Sequence, residues 1–155
     1  MKRIIIVAVF LTAVVCIAIG QPKKPNLSGT WERVAMSGAG NPGTERLTFF
    51  HDEPYLYLIY RIKDGAGERA LDLKGIIDGK PHKQETEGRP ATMIAQWEGQ
   101  SLVLDIEREA SFGYSHTRRK MTFSTDGKVM TTERSWYTKE GTRRPETGTE
   151  KWEQK

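Results

Sequence analysis

After its first twenty residues, the chain has no stretch of eleven or more positions with apolar residues at helical three-and-four spacing; what recurs is alternation. Leu56, Leu58, Tyr60 and Ile62 share one face of a strand, with Arg61 and Lys63 opposite. Leu71 and Leu73 alternate with Asp72 and Lys74, Leu102, Leu104 and Ile106 with Val103, Asp105 and Glu107, and Met121 and Phe123 with Lys120 and Thr122. These runs suit antiparallel strands with one face in water. Acid–glycine pairs punctuate them: Asp64-Gly65, Asp78-Gly79, Glu98-Gly99, Asp126-Gly127 and Glu140-Gly141, a composition suited to the positive backbone angles of hairpin turns. Glycines 99, 113, 127 and 141 are spaced by a constant 14 residues, as are Gly65 and Gly79. That step leaves about 10–12 residues per strand, longer than the usual five or six. The expectation is an all-β fold, an up-and-down antiparallel meander of eight to nine strands closing into a barrel, with a two-sheet sandwich as the alternative.

Residues 1–20 stand apart. Lys2 and Arg3 precede an apolar run over 4–19, and Ala18 and Gly20 place small residues three and one positions before Gln21. This pattern predicts a secretory signal peptide over 1–20, cut after Gly20, and a secreted or periplasmic protein with no stable membrane insertion afterwards. An uncleaved anchor is the rival, since 16 residues fall just short of a bilayer span. Lipidation of Cys16 is a weaker one, because Val14 and Val15 replace the small residues such sites favour. Gln21-Pro22-Lys23-Lys24-Pro25 opens a polar tether over 21–26, and 27–155 is the folded domain. Without 1–20 the chain carries 22 basic and 20 acidic residues, net +2 against +4 for the whole. So small and mixed an excess argues against nucleic acid as a partner. Cys16 is the chain's single cysteine, so the mature domain has no disulfide and rests on its core. About 135 residues can bury roughly two-thirds of their unfolded surface, which is sufficient.

Leu27-Ser28-Gly29-Thr30-Trp31 opens the domain with a Gly-x-Trp, followed by Asp78-Gly79-Lys80, Trp97-Glu98-Gly99 and Asp126-Gly127-Lys128. In these features the chain resembles the lipocalins and, more closely, the lipocalin-like proteins that many bacteria export. The resemblance implies a lipocalin-like barrel over 27–155. Gly29 and Trp31 would then form the plug of its closed end, which in lipocalins is covered by an arginine from the last strand. This chain has no Thr-Asp-Tyr turn, and it ends Lys151-Trp152-Glu153-Gln154-Lys155 without that arginine.

The hairpin at Asp126-Gly127 is the most informative. With those two residues as the loop, Phe123 faces Met130, Met121 faces Thr132, Arg119 faces Arg134 and Thr117 faces Trp136, while Lys120 pairs with Glu133 and Thr122 with Thr131 on the wet face. This register sets two arginines side by side inside the barrel near Trp136. Such a pair demands a counter-charge, and its guanidinium forks match a carboxylate. Arg119, Arg134, Trp136, Met121 and Tyr60 are therefore the candidate ligand-contacting residues. A three-residue turn would shift the register by one and set Arg119 against Glu133. Asp105 or Glu107 are alternative neutralisers, and exposure at the rim is a further alternative.

Other motifs carry less. Adjacent residues of His51-Asp52-Glu53 point to opposite faces and cannot converge on a metal, and His82 and His116 have no ligand spacing. No Gly-x-Ser-x-Gly is present, and the glycines of Ser37-Gly38-Ala39-Gly40-Asn41-Pro42-Gly43 lack the Gly-Lys-Ser/Thr ending of a phosphate loop. No catalytic residue, metal site or cofactor is expected. Phe49 and Tyr60 are expected in the lumen, Tyr55 and Tyr57 outside. Two functions follow: a binder of a small hydrophobic or amphiphilic ligand, with a carboxylate as one such head group, or a protein-interaction, inhibitor or envelope accessory module with a filled barrel. The void inside the barrel discriminates between them.

Overall fold

A computed structural model describes residues 24–38, 43–110 and 113–155. The expected signal segment 1–20 with its expected cut site and Cys16, the first three residues of the expected tether, and Ala39, Gly40, Asn41 and Pro42 lie outside these. Ten strands form: β1 (Gly29–Gly38), β2 (Thr44–Asp52), β3 (Tyr55–Asp64), β4 (Gly67–Ile76), β5 (Pro81–Thr86), β6 (Arg89–Glu98), β7 (Ser101–Ala110), β8 (Gly113–Phe123), β9 (Val129–Tyr137) and β10 (Arg143–Gln154). They make one antiparallel sheet in the order β4-β3-β2-β1-β10-β9-β8-β7-β6-β5, a meander in which the first strand pairs with the last. The expected barrel is present, but the eight to nine strands are corrected to ten. The strand hidden from the sequence pattern is β5. Its six residues, Pro-His-Lys-Gln-Glu-Thr, carry no large apolar side chain, so no alternation marks them.

The cylinder is nearly closed. Strands β4 and β5 are its two edges, and the side chain of Gln84 on β5 stands in for a strand backbone between them. Gln84 accepts from the Lys74 amide at 2.8 Å and donates to the Lys74 carbonyl at 3.0 Å. The connection through Asp78-Gly79 is correspondingly not a hairpin turn. It crosses the gap, with Ile77 bridging Ala95 in parallel and the Gly79 amide donating to the Ala95 carbonyl at 2.9 Å. At Asp126-Gly127 the pairing is the predicted one, Phe123↔Met130, Met121↔Thr132, Arg119↔Arg134 and Thr117↔Trp136, with Lys120↔Glu133 and Thr122↔Thr131 opposite. The loop is longer than two residues: the Ser124 amide donates to the Val129 carbonyl, and Gly127, at φ 70°, donates back to Ser124. Two or four loop residues preserve the same register; three would not.

The alternating apolar residues converge inside. Leu47, Phe49, Leu56, Leu58, Leu73, Met93, Leu102, Leu104, Met121, Met130 and Trp152 are buried. Phe49 and Tyr60 point inward, while Tyr55, at 62% exposure, lies outside. Trp31 is fully buried at one end of the barrel. Its indole N–H donates to the Leu27 carbonyl at 3.2 Å and its ring meets Phe123 edge-on at 5.8 Å. Gly29 has φ 133°, and a Cβ there would lie 2.5 Å from the Gln154 amide nitrogen, which bonds the Ser28 carbonyl. A side chain at position 29 would therefore push the Gln154 amide off the Ser28 carbonyl and strain a backbone angle that favours glycine.

Candidate functional site

Strand alternation puts Glu45 on the same face of β2 as Leu47 and Phe49, and Glu150 on the same face of β10 as Trp152. Both carboxylates are fully buried. On β1 the register slips between Arg33 and Ala35, so Val34 is an extra residue; Arg33 before it pairs with Trp152 and Met36 after it with Glu150. The bulge lets Arg33 and Met36 both face inward, and the Arg33 Nη1 lies 3.4 Å from the Met36 sulfur. With Arg119 and Arg134 directly opposed on β8 and β9, five ionised side chains meet in the barrel.

Arg33 Nη1 lies 2.7 Å from Glu45 Oε1 and 3.5 Å from Glu150 Oε1. Arg134 Nη1 lies 2.9 Å from Glu150 and 3.8 Å from Glu45, and Arg119 Nη1 lies 3.7 Å from Glu150. The Tyr60 hydroxyl donates to Glu45. The guanidinium of Arg119 covers the Tyr60 ring and that of Arg134 covers the Trp136 ring, each at 4.5 Å from the centroid. The anions facing the arginine pair are thus Glu45 and Glu150. Asp105 is on the outer face with His116 and Arg118, and Glu107 is beside His116 there.

Three arginines against two glutamates leave the cluster one positive charge in excess. Burial opposes the charge on Arg119, but Tyr60, Glu150 and Glu45 outweigh it and hold that guanidinium above its ordinary value. Burial, then the like charge of Arg119, holds Arg134 below its own. Both remain protonated at neutral pH, since a guanidinium titrates far above it. Hydrogen bonding is incomplete. Glu45 Oε1 and both oxygens of Glu150 face arginines without an aligned hydrogen bond, and Arg119 Nη1 and the Nε and Nη2 of Arg134 are buried with no acceptor. Buried donors without partners mark places where an ion, water or ligand belongs.

Above the cluster lies an open chamber of about 340 Å³ lined by Glu45, Tyr60, Ile62, Arg69, Arg108, Ser115, Thr117, Arg119, Arg134 and Trp136. It occupies the end where β2, β4 and β8 begin and β3, β7 and β9 finish, opposite Trp31. A small recess of about 50 Å³ adjoins it, walled by Leu47, Leu58, Leu71 and Ile106 and sharing Tyr60 and Arg119 with the chamber. At the rim, Arg69 pairs with Asp64 at 2.5 Å and Arg108 with Glu87 at 3.4 Å.

Four of the five residues singled out from the sequence, Arg119, Arg134, Trp136 and Tyr60, line this chamber. Met121 does not; it is fully buried in the core, opposite Leu102 and Thr132, beyond the chamber wall. Arg33, Glu45, Arg69, Arg108 and Glu150 were missed. A signal for the two acids was present, since Glu45-x-Leu47-x-Phe49 and Glu150-x-Trp152 place each acid on an apolar face. Arg33 had the same kind of signal, lying two residues after the inward Trp31, since the Val34 bulge interrupts the alternation only beyond it. Among the described residues no group of three or more His, Cys, Asp or Glu is placed to hold a metal ion. His82 pairs with Asp78 at 2.9 Å and His51 with Glu53 at 3.2 Å.

No protein-family model matches the sequence, and no curated protein does. Solved structures do match. A REP1-NXSQ fatty acid transporter superposes with a TM-score of 0.54 at 14% identity, covering 83% of this chain and 96% of that one. Zebrafish ileal bile acid-binding protein, complexed with cholic acid, superposes at 0.54 and 14% identity, covering 83% and 98%. Secretory abundant heat soluble protein 4 from Ramazzottius varieornatus superposes at 0.56 and 13% identity, covering 86% and 96%. The likeness is one of fold: a nearly closed antiparallel β-barrel.

Proposed function

We propose that the protein is an exported carrier that holds a small amphiphile with an anionic head in the upper half of its barrel. One observation carries the reading: Arg134, whose enclosed Nε/Nη2 edge has no acceptor, belongs to a cluster with one excess positive charge and is part of the wall of an open chamber of about 340 Å³. That edge is the side-on fork that a carboxylate engages with two parallel hydrogen bonds. A monoanion would neutralise the excess. The names of the fold's neighbours, a fatty acid transporter and a bile acid-binding protein, support a carrier more than an enzyme. Export is supported by the basic start, apolar run and small-x-small end of residues 1–20.

Calorimetric titration of the chain from Gln21 onward with 2-naphthoate tests the binding. Arg134→Lys keeps the charge and removes the fork, and it is expected to weaken binding by about 10- to 100-fold, the worth of a charged hydrogen-bond pair. Arg119→Ala should weaken it as well. Affinity unchanged in both variants would remove the arginines from the site. Native mass spectrometry of protein taken from its own host would show whether a small molecule accompanies it and whether the chain begins at Gln21.

A second reading has one observation in its favour. Phe50 and Tyr55 are 54% and 62% exposed on the outer face, and Phe50 stacks on Tyr57 at 5.5 Å. Such a patch suits an interaction module. That reading expects a protein partner, lost in Phe50→Ser with Tyr55→Ser, and no acid bound in the chamber.

A further inference from the structure

Resting on the reading of the chamber as an anion-binding site, we infer that its guest is a compact acid, of one or two rings or the aliphatic equivalent, and that long acyl chains gain nothing from their length. The interior of a carrier for long chains must be hollow below the head group. Here it is filled. Beyond the arginine–glutamate cluster the barrel holds Trp31, Phe49, Met93, Met121, Met130 and Trp152, each 0–1% exposed. The apolar space adjoining the chamber is the recess of about 50 Å³ against Leu47, Leu58, Leu71 and Ile106.

The chamber itself is about 340 Å³. An apolar cavity of about 150 Å³ encloses one benzene, so the space suits two fused rings carrying a carboxylate. Its walls suit a flat guest too: the Arg119–Tyr60 and Arg134–Trp136 stacks present planar groups, and a carboxylate lies in the plane of the guanidinium fork it meets. With the head at Arg134, a short apolar portion reaches the recess. Anything longer leaves through the open end into water and buries no further surface.

The test is a series of straight-chain carboxylates, from butanoate to hexadecanoate below their micelle concentrations, titrated against the chain from Gln21 onward with 2-naphthoate alongside. Affinity is expected to rise roughly fourfold per methylene, the worth of burying one CH₂, up to about eight carbons and then stay flat, with 2-naphthoate binding at least as tightly as hexadecanoate. A rise continuing to hexadecanoate overturns the inference and leaves the anion site standing. Absence of binding by every acid, 2-naphthoate included, overturns the site itself and the inference with it. Leu71→Ala enlarges the recess and is expected to move the plateau by about two carbons. Ile106→Val, a smaller change, should move it by about one if the first variant does not fold. A plateau unmoved in a folded variant overturns the recess as the place of the tail.

Discussion

Glu150 shows what burial does to a single charge. It is fully enclosed, and Arg33, Arg119 and Arg134 all lie within 4 Å of its oxygens. Removing one member of such a group leaves its partners uncompensated in a poor solvent, a loss of about 3–5 kcal/mol. Glu150→Gln is therefore expected to lower the free energy of urea unfolding by about that amount. Glu153→Gln, whose half-exposed carboxylate meets Lys151 at 3.5 Å, should change it by less than about 1 kcal/mol. Tyr60 supplies a pH dependence. Burial, aided by Glu45 and opposed by Arg119, raises its phenol above the ordinary value. The unfolded chain then ionises first, near pH 10. The stability contributed by the neutral phenol is complete below that pH and is lost as the pH climbs through the folded value. Denaturant unfolding between pH 9 and 11.5 should show a steeper fall for the native protein than for Tyr60→Phe; equal slopes would mean that Tyr60 titrates alike in both states.

At the scale of the element, two local irregularities set where charges point. The four-residue loop around Asp126-Gly127 has even length, so it places Arg119 and Arg134 on the inner face just as a two-residue loop would. The Val34 bulge does the complementary work on β1 by letting Arg33 and Met36 both turn inward. Deleting Val34 removes the bulge and leaves Arg33 and Met36 two positions apart, so both still face inward opposite Trp152 and Glu150. The expected outcome is a retained cooperative thermal transition, followed by near-ultraviolet circular dichroism, where Trp31 and Trp152 report on packing. Loss of the native melt would mean that the local geometry of the bulge, and not only its parity, is needed to seat Arg33. Most of this scale was readable in advance. The faces of β3, β4, β7 and β8 follow from alternation, and the β8–β9 pairing follows from parity once the loop length is even, which the sequence left open against a three-residue turn. The bulge was not readable, because one extra residue looks like noise in a ten-residue window, and β5 was not, because a short polar edge strand carries no hydrophobic signature.

The whole molecule is divided between a filled half and an open one. The half around Trp31 and Trp152 is packed and supplies stability; the other half holds the charged cluster and the chamber. The seam between β4 and β5 is a second division, with the Gln84 amide bridging backbone to backbone across it. Amides of β4 and β5 along this edge are expected to exchange faster than those of β1 and β10, which pair along most of their length. Gln84→Ala should accelerate exchange at the Lys74 amide in particular, as measured by hydrogen–deuterium exchange with residue resolution. Unaltered protection at Lys74 would show that the edge is held by other contacts.

From its sequence alone this protein was already bound to be all-β, because alternation and regularly spaced turns are local properties that each segment expresses by itself. The same local rules narrowed the β8–β9 register to two, and the loop of even length selects the one that brings Arg119 opposite Arg134. What neutralises those arginines was decided only by closure of the barrel. Glu45 and Glu150 sit on strands distant in sequence from β8, and which carboxylate meets which guanidinium depends on how ten strands wrap and on one bulge in the first of them. The size of the void was likewise a tertiary outcome, since it is the difference between the volume the cylinder encloses and the volume its side chains fill, and no segment carries that difference on its own.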